Sequence, residues 1–83
     1  MKIVYTNHAI ENIKERRIKR EIIEKTIRSP DEIVIGKKGR KIAHKIINGK
    51  LLRVIYEPKE KAYILVTAYY TKLGRYIENE NNL

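Results

Sequence analysis

The chain has 83 residues, enough for one domain, and contains no cysteine, which excludes disulfides and thiolate metal sites. Its 19 Lys and Arg residues against 10 Asp and Glu residues give a formal net charge of +9, which indicates a polyanionic partner, most simply RNA. The longest apolar run is far below the roughly 20 residues that span a bilayer, and no signal-peptide pattern is present, so we expect a soluble cytoplasmic protein without membrane contact. The Lys-, Glu- and Ile-rich composition is also typical of thermophile proteins.

The first half of the chain is predicted to form a short strand and then two helices. One helix covers His8–Arg17, with Thr6 or Asn7 as its N-cap and its apolar residues on one stripe. The second covers Arg20–Arg28 and ends before Pro30, because proline disfavours helix at the residue that precedes it. The break between the two helices is weakly signalled, so one bent helix is the alternative.

The second half of the chain is predicted to form strands. Asn48-Gly49 between two apolar runs predicts a two-residue hairpin turn. Helices followed by sequential strands predict an α+β domain over residues 1–76, with residues 77–83 as a polar tail. In this domain, both helices pack on one face of a three- to four-stranded antiparallel meander. The expected strands are Asp31–Ile35, Lys41–Ile47, Lys50–Glu57 and Lys61–Tyr70.

The hairpin register places His44 opposite Arg53 on one face. A histidine and an arginine in the middle of a hairpin are costly to bury without partners, so we expect this face to be open. An alternative is that the pair only decorates an exposed sheet. The same face carries Ile42, Ile46, Leu51 and Ile55, and the other carries Ala43, Lys45, Ile47, Leu52, Val54 and Tyr56.

Alternation along the last strand separates a small apolar set, expected against the helices, from a set with two tyrosines, expected on the open face. Tyrosines interleaved with cations are typical of RNA-binding surfaces, although they also suit an ordinary amphipathic strand. The inner set is Ala62, Ile64, Val66, Ala68 and Tyr70, and the open set is Tyr63, Leu65, Thr67 and Tyr69.

Two further features are candidates for chemistry. The glycine turn at residues 36–41 carries four positive charges but lacks the strand-to-helix context of a nucleotide-binding loop, so it either grips phosphates or is a solvated hairpin tip. His8 opens the first helix, where the helix potential favours a neutral imidazole that either acts as a base or simply closes the helix end. Two histidines without cysteine or a matching acidic pattern predict neither a metal nor another cofactor.

The segment from His8 to Ile18 resembles the HAxxRMxxRGI opening of the domain of unknown function numbered 4258. The order of the later blocks, over about residues 3–76, is similar as well; these blocks are Ser29–Val34, Lys38–Lys41, Leu52–Tyr56 and Val66–Tyr69. The chain departs from that pattern at Asn12, where arginine is frequent, at Arg17, where glycine is usual, and at Lys19, where serine is usual.

That family is similar to RelE- and BrnT-like toxins, so the resemblance implies a RelE-like fold, metal-independent RNA cleavage by a 2′-hydroxyl, and an acidic antitoxin partner. His8 or His44 is then the acid–base residue, and Arg16 and Arg53 stabilise the charged transition state. The expected RNA contacts are Lys37, Lys38, Arg40, Lys45, Tyr63, Thr67 and Tyr69. The alternatives are a nucleic-acid-binding module without catalysis and an adaptor for an acidic protein.

Overall fold

Residues 1–74, the part of the chain that a computed structural model describes, form two helices and a five-stranded sheet in an α+β arrangement. The expected polar tail at residues 77–83, and the expected domain end at residue 76, lie outside this part. Helix α1 spans Asn7–Glu15 and α2 spans Arg20–Arg28. The strands are β1 (Lys2–Tyr5), β2 (Glu32–Ile35), β3 (Lys41–Ile47), β4 (Lys50–Pro58) and β5 (Ala62–Lys72).

The sheet is mixed and has the strand order β1-β5-β4-β3-β2. Strands β2 to β5 form the expected antiparallel meander, but β1 pairs in parallel with β5, with Ile3 opposite Tyr63. The antiparallel meander is therefore confirmed with four strands, but the sheet has a fifth strand in parallel orientation, which the prediction of a three- to four-stranded antiparallel sheet did not include. The physical reason is that Ile3 and Tyr5 bury their side chains against the core only if β1 lies beside the last strand.

Two separate helices form because the chain turns sharply at Arg17. The hydroxyl oxygen of Thr6 caps α1 by accepting a hydrogen bond from the Ala9 N–H at 3.0 Å. At the other end Arg17 adopts a left-handed φ of 56°, and the Ile18 N–H donates to the Ile13 carbonyl at 2.9 Å. A positive φ is the conformation that glycine adopts most easily, which accounts for the glycine usual at this position in the resembling family.

Both helices pack on one face of the sheet, which we call the inner face, and the core lies between them. Alternation in β3 and β4 directs Ala43, Leu52 and Val54 into this core, which confirms the expected inner set of the hairpin. The opposite, outer face carries the alternate residues of the same strands. The fully buried residues of largest volume are Ile23, Leu52, Leu65, Val54 and Thr26.

A β-bulge divides β5 into two halves, and the alternation of inward and outward side chains is reversed from one half to the other. Thr67 lies opposite Ile55, but Leu65 lies opposite Tyr56, so the pairing skips Val66. Before the bulge Leu65 is in the core and Tyr63 packs against it, whereas after the bulge Ala68 faces the core and Thr67 the outer face.

The expected faces of β5 are therefore wrong before the bulge and correct after it. Tyr63 is not an open-face residue, because its ring lies 5.0 Å from the ring of Tyr56 among the partly buried side chains that line the core. Leu65, which was expected beside it on the open face, is fully buried. One inserted residue exchanges inward and outward side chains along the rest of a strand.

Neither helix within residues 1–74 has the length and apolar content needed to cross a bilayer.

Candidate active site

Six polar side chains converge on the outer face, and we call them the outer-face cluster. Each strand from β2 to β5 contributes at least one of them, and the C-cap residue of α1 contributes another beside β5. Hydrogen bonds link four of them in a chain from β2 to β5 and join the other two to each other, and the Arg16 guanidinium approaches the Tyr69 ring. The members are Arg16, Glu32, His44, Arg53, Thr67 and Tyr69.

His44 and Arg53 lie directly opposite each other in the β3–β4 hairpin, as the Asn48-Gly49 turn predicts. Both turn residues have positive φ, 52° and 79°, as a type I′ turn requires. The expectation of an open environment is wrong for the imidazole, because His44 is only 3% exposed. Its two ring nitrogens lie within hydrogen-bond distance of polar side chains on β2 and β4.

The two neighbours of His44 determine which of its nitrogens carries the proton. Arg53 Nε lies 3.1 Å from His44 Nε2, and a guanidinium has only donors, so Nε2 is the acceptor. The proton of a neutral imidazole is then on Nδ1, where it is donated to the Glu32 carboxylate at 3.1 Å. Glu32 therefore orients the ring and holds a negative charge beside it, in the arrangement that a carboxylate has in acid–base triads.

Arg53 also reaches the next strand, where its Nη1 donates to the Tyr69 hydroxyl at 2.6 Å. The phenol oxygen accepts this bond, and a phenol also carries a proton that it can donate. The guanidinium carbon of Arg53 lies 5.5 Å from the Tyr69 ring centre, and that of Arg16 lies 6.0 Å from it. Tyr69 is thus flanked by two positive charges.

Arg16 reaches the cluster because β1 pairs only with the first part of β5, which leaves the second part beside α1. Its Nη1 donates to the Thr67 hydroxyl at 3.0 Å and to the Ala68 carbonyl at 2.9 Å. One turn earlier on α1, Asn12 donates to the same hydroxyl at 3.3 Å. Asn12 thus supports the position of Thr67, and Arg16 supplies the charge.

The other expected catalytic residue, His8, is not in the cluster. It is exposed in the first turn of α1, two turns before Arg16, which places it about 12 Å away along the helix axis. Within residues 1–74 no hydrogen bond or ion pair joins His8 to His44. The structure therefore brings together Arg16, His44 and Arg53 but not His8.

The basic residues expected to contact RNA are in three different situations. Lys37 and Lys38 are exposed at the β2–β3 turn. Arg40 pairs with Glu57, with Nε 3.2 Å from the carboxylate. Lys45 bonds to the Ser29 carbonyl at 2.8 Å and its side chain is largely buried, so it ties α2 to the sheet instead of facing solvent.

Sequence reasoning missed Glu32 and missed the role of Asn12. The register between β2 and β3 follows from a five-residue turn that has no single preferred geometry, so no sequence signal places Glu32 opposite His44. Asn12 is a departure from the family pattern, and its contact is made 55 residues away at Thr67.

The charge of the cluster suits an anion better than a cation. Two guanidiniums accompany one carboxylate, and one of them donates to His44 Nε2. Glu32 and His44 are metal-ligand types, but across residues 1–74 no third His, Asp or Glu joins them, and Arg53 opposes a cation at His44. Guanidinium, hydroxyl and imidazole groups together recognise phosphates and catalyse proton transfer.

The model of one protein family, described as Domain of unknown function (DUF4258), matches residues 5–70 and so includes every residue of the outer-face cluster. Comparison with curated proteins and with solved structures found no match.

Proposed function

The chain belongs to the DUF4258 family, and we propose that it is an endoribonuclease that binds and cleaves RNA at the outer-face cluster. The observation that carries the proposal is the convergence of Arg16 and Arg53 on Tyr69, beside a His44 whose tautomer is determined by Glu32. This arrangement combines an oriented base, a proton donor and two positive charges in one place.

The reaction follows from the roles of these groups. When a phosphate binds, Arg53 transfers its hydrogen bond from His44 Nε2 to a phosphate oxygen. Nε2 then takes the proton of the 2′-hydroxyl, the 2′-oxygen bonds to phosphorus, and the bond from phosphorus to the 5′-oxygen breaks. The 5′-oxygen takes the proton of Tyr69, and the products are a 2′,3′-cyclic phosphate and a 5′-hydroxyl.

The charges are placed to favour that transition state. The guanidiniums of Arg16 and Arg53 compensate the negative charge that develops on the phosphate, and the Arg53 contact stabilises the phenolate that remains on Tyr69. The Glu32 carboxylate stabilises the imidazolium that forms on His44. The net charge of +9 and the exposed Lys37 and Lys38 attract the strand.

The resemblance to RelE- and BrnT-like proteins extends the proposal to a biological role. In this role the chain is a toxin with a RelE-like fold, and a small acidic protein is its antitoxin. The strong positive charge supports a partner of that kind, because complementary charge speeds association and suppresses wrong partners.

The test is cleavage of labelled single-stranded RNA by the full-length chain at low salt in EDTA. We expect cyclic-phosphate products from RNA and no cleavage of a strand with a single 2′-deoxy position at the scissile site. His44→Gln and Arg53→Gln are each expected to reduce the rate about 10²- to 10³-fold. The matched control is Arg28→Gln, which removes the same charge from α2, on the opposite side of the sheet, and is expected to retain most of the activity.

Circular dichroism and thermal unfolding of each variant distinguish a lost function from a lost fold. If His44→Gln and Arg53→Gln both fold and both cleave at the wild-type rate, the site assignment is wrong. If the wild-type chain binds RNA and never cleaves it, the enzymatic proposal is wrong.

Binding without catalysis is the second candidate, and the burial of His44 favours it. An imidazole that is 3% exposed and accepts a hydrogen bond from Arg53 is an effective positioner for that arginine. In this case the RNA stays intact, affinity falls steeply with salt, and His44→Gln weakens binding as strongly as Arg53→Gln. If the protein then binds the RNA and the fully deoxy strand of the same sequence with equal affinity, it recognises the phosphates and not the 2′-hydroxyls.

A further inference from the structure

The two edges of the sheet differ in how they are protected. At one edge β1 carries the exposed Lys2, and beyond the end of β1 the Arg16 side chain covers β5 by binding the Ala68 carbonyl. At the other edge β2 has no charged residue after Glu32 and no proline inside it. Among residues 1–74, no strand pairs with the outer side of β2. Unprotected edges of this kind are sites of strand addition.

The apolar residues of β2 are exposed to an unusual degree. Ile33 is 46% exposed and Ile35 is 74% exposed, although both lie on the inner face, because α2 packs mainly on β3 and β4. Single exposed apolar residues are common, but two at alternate positions on an edge strand form a continuous apolar strip.

Within the described part of the chain, the backbone groups of β2 at the same two residues pair with no other strand. The Gly36 N–H donates to the Arg40 carbonyl at 2.8 Å, so by alternation the backbone groups of Val34 also point toward β3. Those of Ile33 and Ile35 then point away from the sheet. The strip therefore combines exposed side chains with backbone donors and acceptors that are directed at a further strand.

The charges along this segment are complementary to those of a second copy that runs in the opposite direction. Asp31 and Glu32 lie at its start, the apolar residues lie in the middle, and Lys37 and Lys38 follow its end. When two copies of the segment pair antiparallel, the acidic start of each copy lies beside the basic end of the other. An acidic foreign segment would instead repel Asp31 and Glu32, whose side chains are 50% and 46% exposed.

We propose that β2 is a homodimer interface in which two copies pair antiparallel about a twofold axis. Ile33 lies opposite Ile35 of the partner subunit, and the two exchange backbone hydrogen bonds. Val34 then lies opposite Val34 of the partner subunit on the axis, and Asp31 lies opposite Lys37 of the partner subunit. The result is a ten-stranded sheet across the dimer, with the four isoleucines in one apolar patch. This inference does not depend on the proposed function.

The test is sedimentation of the nuclease-treated, full-length chain over a range of concentration and salt. We expect a monomer–dimer equilibrium that shifts toward dimer in about 0.5 M salt, because the +9 charges of the two copies repel each other at low salt. Ile35→Pro is expected to abolish the dimer while the monomer stays folded, since the Ile35 N–H donates to no other strand within residues 1–74. A wild-type chain that stays monomeric at millimolar concentration overturns the proposal.

A charge reversal tests the register. Lys37→Asp is expected to raise the dimer dissociation constant about tenfold, because each of two contacts becomes a pair of like charges. Lys61→Asp changes the net charge equally at an exposed lysine outside the interface, and it is expected to leave the dimer as strong or to strengthen it. Equal weakening by both variants, or a dimer that survives Ile35→Pro, places the interface elsewhere and overturns the proposal.

Discussion

The two faces of the sheet consist of alternate residues of the same strands, yet different interactions hold them together. On the inner face Leu52, Val54 and Leu65 are fully buried among apolar side chains. On the outer face His44 is nearly as buried, but its neighbours are Glu32 and Arg53, with which it forms hydrogen bonds. Burial stabilises the first arrangement, whereas the second requires that each buried polar atom has a partner.

Because of this difference, alternate residues of a single strand contribute to the stability of the fold and to the candidate site. In β4, Leu52 and Val54 anchor the core, and Arg53 between them connects His44 to Tyr69. Along the buried side chains of residues 1–74, every fully enclosed nitrogen and oxygen has a hydrogen-bond partner. We therefore expect substitutions of the buried apolar residues of the inner face to change unfolding, and substitutions in the outer-face cluster to change activity.

Leu52→Ala tests the inner face and has the largest expected effect. Removing this fully buried side chain is expected to lower the free energy of unfolding by about 2–5 kcal/mol. The control is Ile46→Ala on the outer face of β3, where the side chain is 47% exposed and the expected loss is under about 1 kcal/mol. Urea denaturation measures both values, and similar losses at the two positions would remove the distinction between the faces.

Glu32→Gln tests the outer face without changing its shape. The amide oxygen still accepts the His44 Nδ1 proton, but the negative charge that stabilises an imidazolium is lost. We expect RNA cleavage to fall about tenfold to a hundredfold while the fold is retained. Asp31→Asn, at the neighbouring carboxylate that accepts from the Ile46 N–H, is the control and is expected to cleave at about the wild-type rate. Cleavage by Glu32→Gln at the wild-type rate contradicts a role for the negative charge of Glu32.

Thr67→Val tests the hydroxyl that lies on the outer face next to the β-bulge. Valine keeps the shape of the side chain and removes the hydroxyl that binds Asn12 and Arg16. We expect cleavage or RNA binding to fall about tenfold, and stability to change by no more than about 1 kcal/mol. Thr71→Val on the same strand is the control, because Thr71 lies opposite Leu51 and away from Arg16. A larger effect on unfolding than on activity would show that Thr67 belongs to the core.

Tyr5→Phe probes a polar group at the border of the inner face, and its effect is the smallest. Burial, followed by the hydrogen bond to the Glu24 carboxylate at 2.9 Å, raises the pKa of Tyr5 well above its ordinary value of 10.0. The neutral phenol thus stabilises the fold below about pH 10, and this contribution is lost as the pH rises toward the folded-state pKa. The stability difference between wild type and Tyr5→Phe should shrink between about pH 8 and pH 11 in urea denaturation.

Tyr56→Phe is the companion measurement, because burial and the nearby Tyr63 also raise the pKa of Tyr56. The same alkaline convergence with wild type is expected there. A Tyr5→Phe variant whose stability difference from wild type grows with pH would contradict a stabilising role for the neutral phenol.

Much of this fold can be predicted from the sequence, because neighbouring residues determine its hairpin turn and its helix ends. The positive φ values demanded at Asn48 and Gly49 fix the hairpin register, so the pairing of His44 with Arg53 follows from the sequence. The Thr6 cap and the proline after α2 likewise mark helix ends. The family resemblance adds Arg16, Thr67 and Tyr69 as candidates, which the structure brings together with the hairpin pair.

The rest depends on contacts between distant residues. Parallel pairing of β1 with β5 joins residues about 60 positions apart, and a four-residue strand contains no information about such a partner. The faces predicted for β5 assume that successive residues point to opposite faces of the sheet. The extra residue, Val66, therefore reverses the faces predicted for Tyr63 and Leu65. Glu32 belongs to the cluster only because a five-residue turn happens to align β2 with β3.

The bulge at Val66 has a consequence for how relatives of this chain diverge. In a relative without the residue equivalent to Val66, Leu65 and Thr67 would be neighbours in a regular strand and would still point to opposite faces. Tyr69, two residues after Thr67, would stay on the outer face, so the site would survive the loss of the bulge. Such a relative would differ from this chain in the spacing of its motif and share its two faces, so spacing alone would understate the likeness of the two sites.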